Sequence, residues 1–588
     1  MKQFFLTMGG VFAGLVMFFV FLPIAALTLI IATAHPAPTP QNSILTLDLR
    51  ERLPDQASRS PFAFLSGHSL SVTEIAQTLR AAETDPHVKA LLVRLPEGGM
   101  APAAADEVRA ALRHFSKSGK MVIAHSQGLY PSGFVSAAYM VGASADQFWM
   151  QPKASLQAVG VSSETMFFKR FFDRYGLKAD FEQRYEYKNA VNPYLHDDFT
   201  PAHREATLGY MTAIYASELG LAAQDRKQDP SKLRATLEAG PYDAETAKSL
   251  GLIDKVGDVT EAEASLKGLV SDGEAHMLDF ASYHPPKAAP ADAKIAIINA
   301  EGDIITGSGG AKGFGGAESI YSDEIASAFH QAIEDKAVKA IVFRVSSPGG
   351  SDTASEEIGA AVKAAKAAGK PVIVSMGTYA ASGGYWISAS ASEIIADPTT
   401  LTGSIGVFGG KLALGPALAR FGIDTRETTV GSDYAAAFGS GHGFTPSQRA
   451  ALSSWMDHIY EAFIKEVSDG RKLPLARVRE LAKGRVWTGV QAKERGLVDQ
   501  LGGFDLALAE ARRLAKIAPD EAVSLEDLPS ARSPFASFGQ GARASLAFGR
   551  AALVLGQRLD DPRVQTLIQQ LDHATRSPRD TTVLAPEY

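Results

Sequence analysis

Glu74-Ile75-Ala76, continuing to Val88-Lys89-Ala90-Leu91-Leu92-Val93-Arg94, returns 250 positions downstream as Glu324-Ile325-Ala326, continuing to Val338-Lys339-Ala340-Ile341-Val342-Phe343-Arg344. Nine of the 24 positions from 72 to 95 are identical in the second stretch, which implies two homologous domains. The match extends outward. Gly119-Lys120-Met121-Val122-Ile123 answers to Gly369-Lys370-Pro371-Val372-Ile373, and Ala247-Lys248 with Gly251-Leu252 answers to Ala492-Lys493 with Gly496-Leu497. Each copy reads as an amphipathic helix, a short apolar strand, a glycine turn, a second helix and another apolar strand opened by Gly-Lys. That alternation predicts an α/β fold with parallel strands. The copies span residues 43–268 and 292–515, joined by the linker His284-Pro285-Pro286-Lys287-Ala288-Ala289-Pro290. Residues 516–588 form an extension with helical patterns around 542–559 and 564–571, to which no function is assigned.

Ahead of the copies, Phe4 to Ala34 is a run of 31 residues without a charge. A bilayer needs ~20. Ala32-Thr33-Ala34 resembles a signal-peptide cleavage site, but such a peptide has an apolar core of only ~7 to 15 residues. The run, within residues 1–36, therefore reads as an uncleaved transmembrane anchor. Lys2 precedes it and the next charge is Asp48, which puts the N-terminus in the cytoplasm and the body outside, in a bacterium the periplasm.

Composition narrows the chemistry. With 46% hydrophobic and 21% charged residues the 588-residue chain is globular, and its net charge of −7 argues against a nucleic-acid partner. It has no cysteine, so thiolate nucleophiles and cysteine zinc sites are excluded. The histidines are scattered without a His-Glu-x-x-His run, so no metal is expected. Gly307 to Gly316 is glycine-rich but fits neither a Walker A pattern nor a dinucleotide fingerprint. It reads as a mobile loop near the site, and no cofactor is expected.

The two copies differ where chemistry would sit. The second has Ser347-Pro348-Gly349-Gly350 where the first has Pro96-Glu97-Gly98-Gly99. It also has Tyr379-Ala380-Ala381-Ser382-Gly383-Gly384-Tyr385, aligned through Ser382 with Ser136-Ala137-Ala138-Tyr139, which keeps a serine and lacks both glycines. A serine hydroxyl needs a base and amide donors for the oxyanion, and Gly349, Gly350 and Gly383 let the backbone come close to a carbonyl. His330, His442 and His458 have no distinctive setting as the base. The alternative is a lysine whose pKa burial has lowered from ~10.4. Lys188, within Tyr185-Glu186-Tyr187-Lys188-Asn189-Ala190-Val191-Asn192-Pro193-Tyr194, has such neighbours, and the matching position in the second copy is Tyr434.

The stretches Tyr379 to Trp386, Leu401-Thr402-Gly403-Ser404-Ile405-Gly406-Val407 and Tyr187-Lys188 resemble the long, duplicated form of the signal peptide peptidase A (protease IV) family, and the resemblance covers nearly the whole chain. It implies two tandem crotonase-like (caseinolytic protease-like) domains after a membrane helix, assembled as a homotetramer facing the periplasm. It also implies a Ser-Lys dyad that cleaves apolar signal peptides. Ser382 would be the nucleophile, Lys188 the general base, Ser404 the lysine-positioning serine (Ala158 in the first copy), and Gly383 and Gly350, with Gly349, the oxyanion hole. Two other classes are compatible with the fold: a crotonase-like acyl-CoA hydratase or isomerase, which would bring carboxylate pairs, and a non-catalytic membrane-anchored scaffold.

Overall fold

The computed structural model describes residues 38–51, 53–57, 70–271, 273–286, 291–309, 319–518, 521–529 and 582–584, with a few positions between 7 and 21. The apolar run 4–34, the loop from 310 to 316 and the patterns at 542–559 and 564–571 lie largely or wholly outside the described residues. Among the described residues no helix is long and apolar enough to cross a membrane.

Val88–Arg94 is a nearly unbroken apolar run, and such runs form strands buried on both faces of a parallel sheet. It sits inside a six-stranded sheet ordered Lys255–Val256, Gln147–Met150, Met121–Ser126, Val88–Arg94, Ser43–Asp48, His276–Asp279, and every pairing is parallel. Its counterpart Val338–Ser347 sits inside an eight-stranded sheet. The main order there is Val486–Thr488, Leu401–Gly403, Val372–Ala381, Val338–Ser347, Ala293–Glu301, Val523–Leu528. Only Val486–Thr488 runs antiparallel. The repeat extends to pairing detail: the register slips between Ser43 and Ile44 in one sheet and between Lys294 and Ile295 in the other.

Helices cover both faces. In the first copy Ser71 and Glu74 close a capping box that starts Val72–Thr84, whose stripe of Ile75, Leu79 and Ala82 turns inward. Together with Pro102–Lys117 and Val135–Ala143 it builds one core, while Ala262 and Leu266 close the other face. In the second copy Phe329, Ile358, Trp386 and Phe463 share one core, and Phe504, Ala507 and Ala511 close the opposite face.

The copies are stitched by a two-stranded ribbon. Lys178–Gln183 of the first pairs antiparallel with Phe408–Ala413 of the second. Gly410 permits the approach, since a Cβ there would lie 2.4 Å from the Asp180 carbonyl oxygen. This ribbon carries the chain straight towards Lys188. At the far end of the sequence, Thr582–Leu584 lies antiparallel to Gly349–Ser351.

Candidate active site

Ser382 stands at the junction of Val372–Ala381 and the short helix Gly383–Ala389, with φ 56° and ψ −118°. A non-glycine residue held at positive φ is strained, and surrounding bonds must impose it. The Ser382 N–H donates to Gly403 O at 2.8 Å, while Ser382 O accepts from the N–H groups of Tyr385 and Trp386. Gly384 cannot be larger, because its Cβ would lie 2.6 Å from Ser347 O. The small residues around the serine are thus a steric requirement of this turn.

The lysine comes from the other copy. Past the ribbon, Arg184 N–H donates to Val407 O and Tyr187 N–H to Lys483 O, which lays the first copy's loop across the second. Two glycines shape its bed. A Cβ on Gly484 would meet the Lys188 backbone and Cβ at 2.6 Å, and one on Gly406 would reach Lys188 Cδ at 3.2 Å. Lys188 is 1% exposed, and its Nζ lies 2.7 Å from Ser382 Oγ, 2.9 Å from Ser404 O and 3.0 Å from Ser404 Oγ. Burial alone holds the amine well below the usual lysine range, with no carboxylate acting on it.

A neutral amine has two N–H donors and one lone pair. Spending both donors on Ser404 O and Oγ leaves the lone pair for the proton of Ser382 Oγ. An amine and a hydroxyl 194 positions apart in sequence thus meet within one chain. Ser404 is itself at positive φ, 49°, pinned by its N–H to Arg485 O.

The glycines divide. A Cβ on Gly383 would approach Gly350 N at 3.1 Å, so these two residues face one another beside Ser382. Gly383 opens its helix, where an N–H has no acceptor in the helical ladder. Gly349 differs from the expectation: its N–H donates to Ser347 Oγ at 3.1 Å, which leaves that amide engaged. Its φ of 118° still explains the glycine.

The histidines are placed away from this chemistry. His442 bonds Glu427, His458 stacks on Trp455, and His330 is exposed. In the first copy the aligned serine, Ser136, donates to buried Glu218 at 2.5 Å, and Gly99 N–H is taken by Ser132 O. A Cβ on Gly99 would strike the Phe134 backbone at 2.4 Å, which explains the glycine there. Ala158 is fully buried. No group of three or more potential metal ligands occurs among the described residues.

Sequence reasoning passed over Gly406, Gly484 and Arg485. Gly406 lay inside a quoted motif, but nothing local ties Gly484 or Arg485 to a lysine almost 300 positions earlier.

Comparison with known proteins shows which family the chain belongs to. Residues 114–271 and 364–518 each match the model of peptidase family S49. "Protease 4" of Salmonella typhi is 33% identical over 460 residues, covering 76% of this chain and 72% of that protein. "Protease 4" of Haemophilus influenzae is 34% identical over 481 residues, 77% and 74% respectively. "Serine protease SPPA, chloroplastic" of Arabidopsis thaliana is 28% identical over 509 residues, 84% and 72% respectively. With two matched regions, one per copy, and relatives that align across most of its length, the chain is a serine peptidase belonging to family S49.

Proposed function

We propose that this peptidase is a membrane-anchored endopeptidase that hydrolyses apolar signal peptides with Ser382 as nucleophile and Lys188 as general base. The observation that carries this reading is the 2.7 Å contact between Lys188 Nζ and Ser382 Oγ, made by an amine whose pKa burial lowers well below the usual lysine range.

Each step has its residue. Ser382 Oγ attacks the peptide carbonyl carbon as its proton passes to the Nζ lone pair, and the carbonyl π electrons move onto oxygen. The N–H groups of Gly350 and Gly383 hold that oxyanion, and one such donor is worth ~100- to 1,000-fold in turnover. Collapse breaks the C–N bond, and the leaving amine takes the proton from the Lys188 ammonium. Water then attacks the Ser382 ester, gives a proton to Nζ, and the second collapse returns it to Oγ. Ser404 holds the amine throughout through its carbonyl and hydroxyl oxygens.

An extended peptide suits the edge beside the serine. Gly349–Ser351 accepts an antiparallel strand from the chain's own Thr582–Leu584, the way a sheet edge binds peptide backbone. An acyl-CoA hydratase would need a carboxylate at the reacting centre, and none acts on Lys188. In the proposed setting residues 4–34 anchor the protein in a bacterial inner membrane. The two crotonase-like domains then lie in the periplasm as a homotetramer, beside the remnants that secretion leaves in the bilayer. The test is hydrolysis of an apolar peptide by the wild type, Ser382→Ala and Lys188→Ala in detergent or vesicles. Activity confined to the wild type supports the dyad; wild-type activity in either variant removes it.

A further inference from the structure

The seam between the two copies holds a carboxyl cluster that the dyad does not use. Asp106, on the first copy's helix Pro102–Lys117, is 4% exposed. Its Oδ2 accepts both the backbone N–H and the Oγ1–H of Thr399 in the second copy, at 3.1 and 2.7 Å, while its Oδ1 has no hydrogen-bond partner. Around it stand Glu107 and Arg109 on its own helix, Asp397 on the turn before Thr399, and Glu218 on the helix Pro201–Arg226. Arg109 is committed to Asp225, and Arg344 is shared between Asp55 and Glu107. Asp397 Oδ2 and Glu218 Oε1 are also buried without partners.

Thr399 leads directly into the dyad. Asp397 N–H donates to Thr400 Oγ1, and Thr400 Oγ1–H donates to Gly377 O. The next residues, Leu401–Gly403, pair with Tyr379–Ala381 just ahead of Ser382. Gly403 O receives the Ser382 N–H, and Ser404 receives Lys188. The base of this segment is thus tied to the first copy, which also supplies the lysine that meets its tip.

We propose that Asp106 is a positioning residue for catalysis, which through the two hydrogen bonds it accepts from Thr399 anchors the Thr399–Ser404 segment to the first copy and so keeps Ser404 where it aligns Lys188 on Ser382. This rests on the dyad reading above. Burial pushes the Asp106 carboxyl up to about 7, with Thr399 the main opposing influence. Burial likewise holds Asp397 and Glu218 well above the usual carboxylate range. The Thr399 N–H and Oγ1–H both donate to Oδ2, so the carboxyl can hold the segment in either charge state.

The test is the measurement of kcat and KM for an apolar fluorogenic peptide, normalised to folded protein by circular dichroism. The enzymes are wild type, Asp106→Ala, Asp106→Asn, Thr399→Val, Ser382→Ala and Lys188→Ala. Displacing reacting groups by ~1 Å can cost ~100-fold, so Asp106→Ala should lower kcat by about that factor with KM nearly constant, because the Gly349–Ser351 edge is untouched. Thr399→Val, which keeps the N–H bond, should lose ~10-fold. Asp106→Asn keeps an oxygen that accepts from Thr399, so this conservative variant should hold kcat within about tenfold of the wild type. If Asp106→Ala does not fold, Asp106→Asn and Thr399→Val carry the test. Wild-type kcat in a folded Asp106→Ala, or in Thr399→Val, overturns the positioning role. Activity surviving in Ser382→Ala or Lys188→Ala overturns the dyad instead, so the two failures are distinct.

Discussion

Replacing Lys188 by methionine isolates the proton-transfer step. The side chain is 1% exposed and wedged against Gly406 and Gly484, so a residue of nearly equal length keeps the space filled. Alanine would instead open a cavity of the kind that costs ~2 to 5 kcal/mol. Methionine removes the lone pair 2.7 Å from Ser382 Oγ and nothing near it can substitute, because burial is the sole influence on the lysine and no histidine bonds the serine. General-base catalysis contributes ~100- to 10,000-fold. At ~1.36 kcal/mol per tenfold, the barrier should rise by ~2.7 to ~5.4 kcal/mol. The assay is kcat on an apolar fluorogenic peptide, with thermal unfolding to show that the variant folds. Lys188→Arg belongs beside it: a guanidinium stays charged and cannot take a proton, so it should be as inactive as methionine. An arginine variant within tenfold of the wild type would refute the reasoning, since the position would then act through charge rather than as a base.

Folding should report the same amine. Its pKa lies below 10.5 in the folded state and returns there on unfolding, so between those values the unfolded chain binds more protons and stability rises with pH. The unfolding free energy of wild type minus Lys188→Met should therefore climb with pH towards ~10.5 and then level off; parallel urea titrations that show a constant difference would contradict a neutral lysine. Gly406→Ala places a Cβ 2.8 Å from Gly484 Cα and 3.2 Å from Lys188 Cδ, and ~100-fold of kcat should disappear. Unchanged turnover would mean that the cradle yields. Arg344→Met strands buried Asp55 and Glu107 at the seam and should cost ~3 to 5 kcal/mol in urea unfolding; a loss under ~1 kcal/mol would place those charges in solvent. Ser136→Ala should leave turnover alone yet destabilise by ~1 to 3 kcal/mol, because Glu218 loses its donor. A large drop in kcat would give Ser136 a catalytic role that its bond to buried Glu218 argues against.

Much of the site was readable before any coordinates. Ser382 stood out because glycines and alanines frame it, and the structure shows why they must: a Cβ on Gly384 would lie only 2.6 Å from Ser347 O. Lys188 stood out for its aromatic, weakly charged neighbourhood, which is how a sequence records a desolvated amine. The failures have a common cause. Gly349 resembled its neighbour Gly350, but only a hydrogen bond to Ser347 Oγ shows that its amide is engaged. Gly484 and Arg485 carry no local mark, since each meets its partner on another part of the chain.

What the one-dimensional text determined is the plan: two α/β copies, parallel strands, a serine frame kept in one and a lysine kept in the other. Periodicity and duplication are properties of neighbouring residues, so they survive in the order of letters. What the tertiary structure alone decided is that the two halves make one centre within a single chain. The ribbon between Lys178–Gln183 and Phe408–Ala413 brings an amine and a hydroxyl 194 positions apart to 2.7 Å. That meeting depends on close packing across the seam, where the missing Cβ atoms of Gly406 and Gly484 leave room for Lys188. Such contacts have no periodicity by which a sequence could announce them.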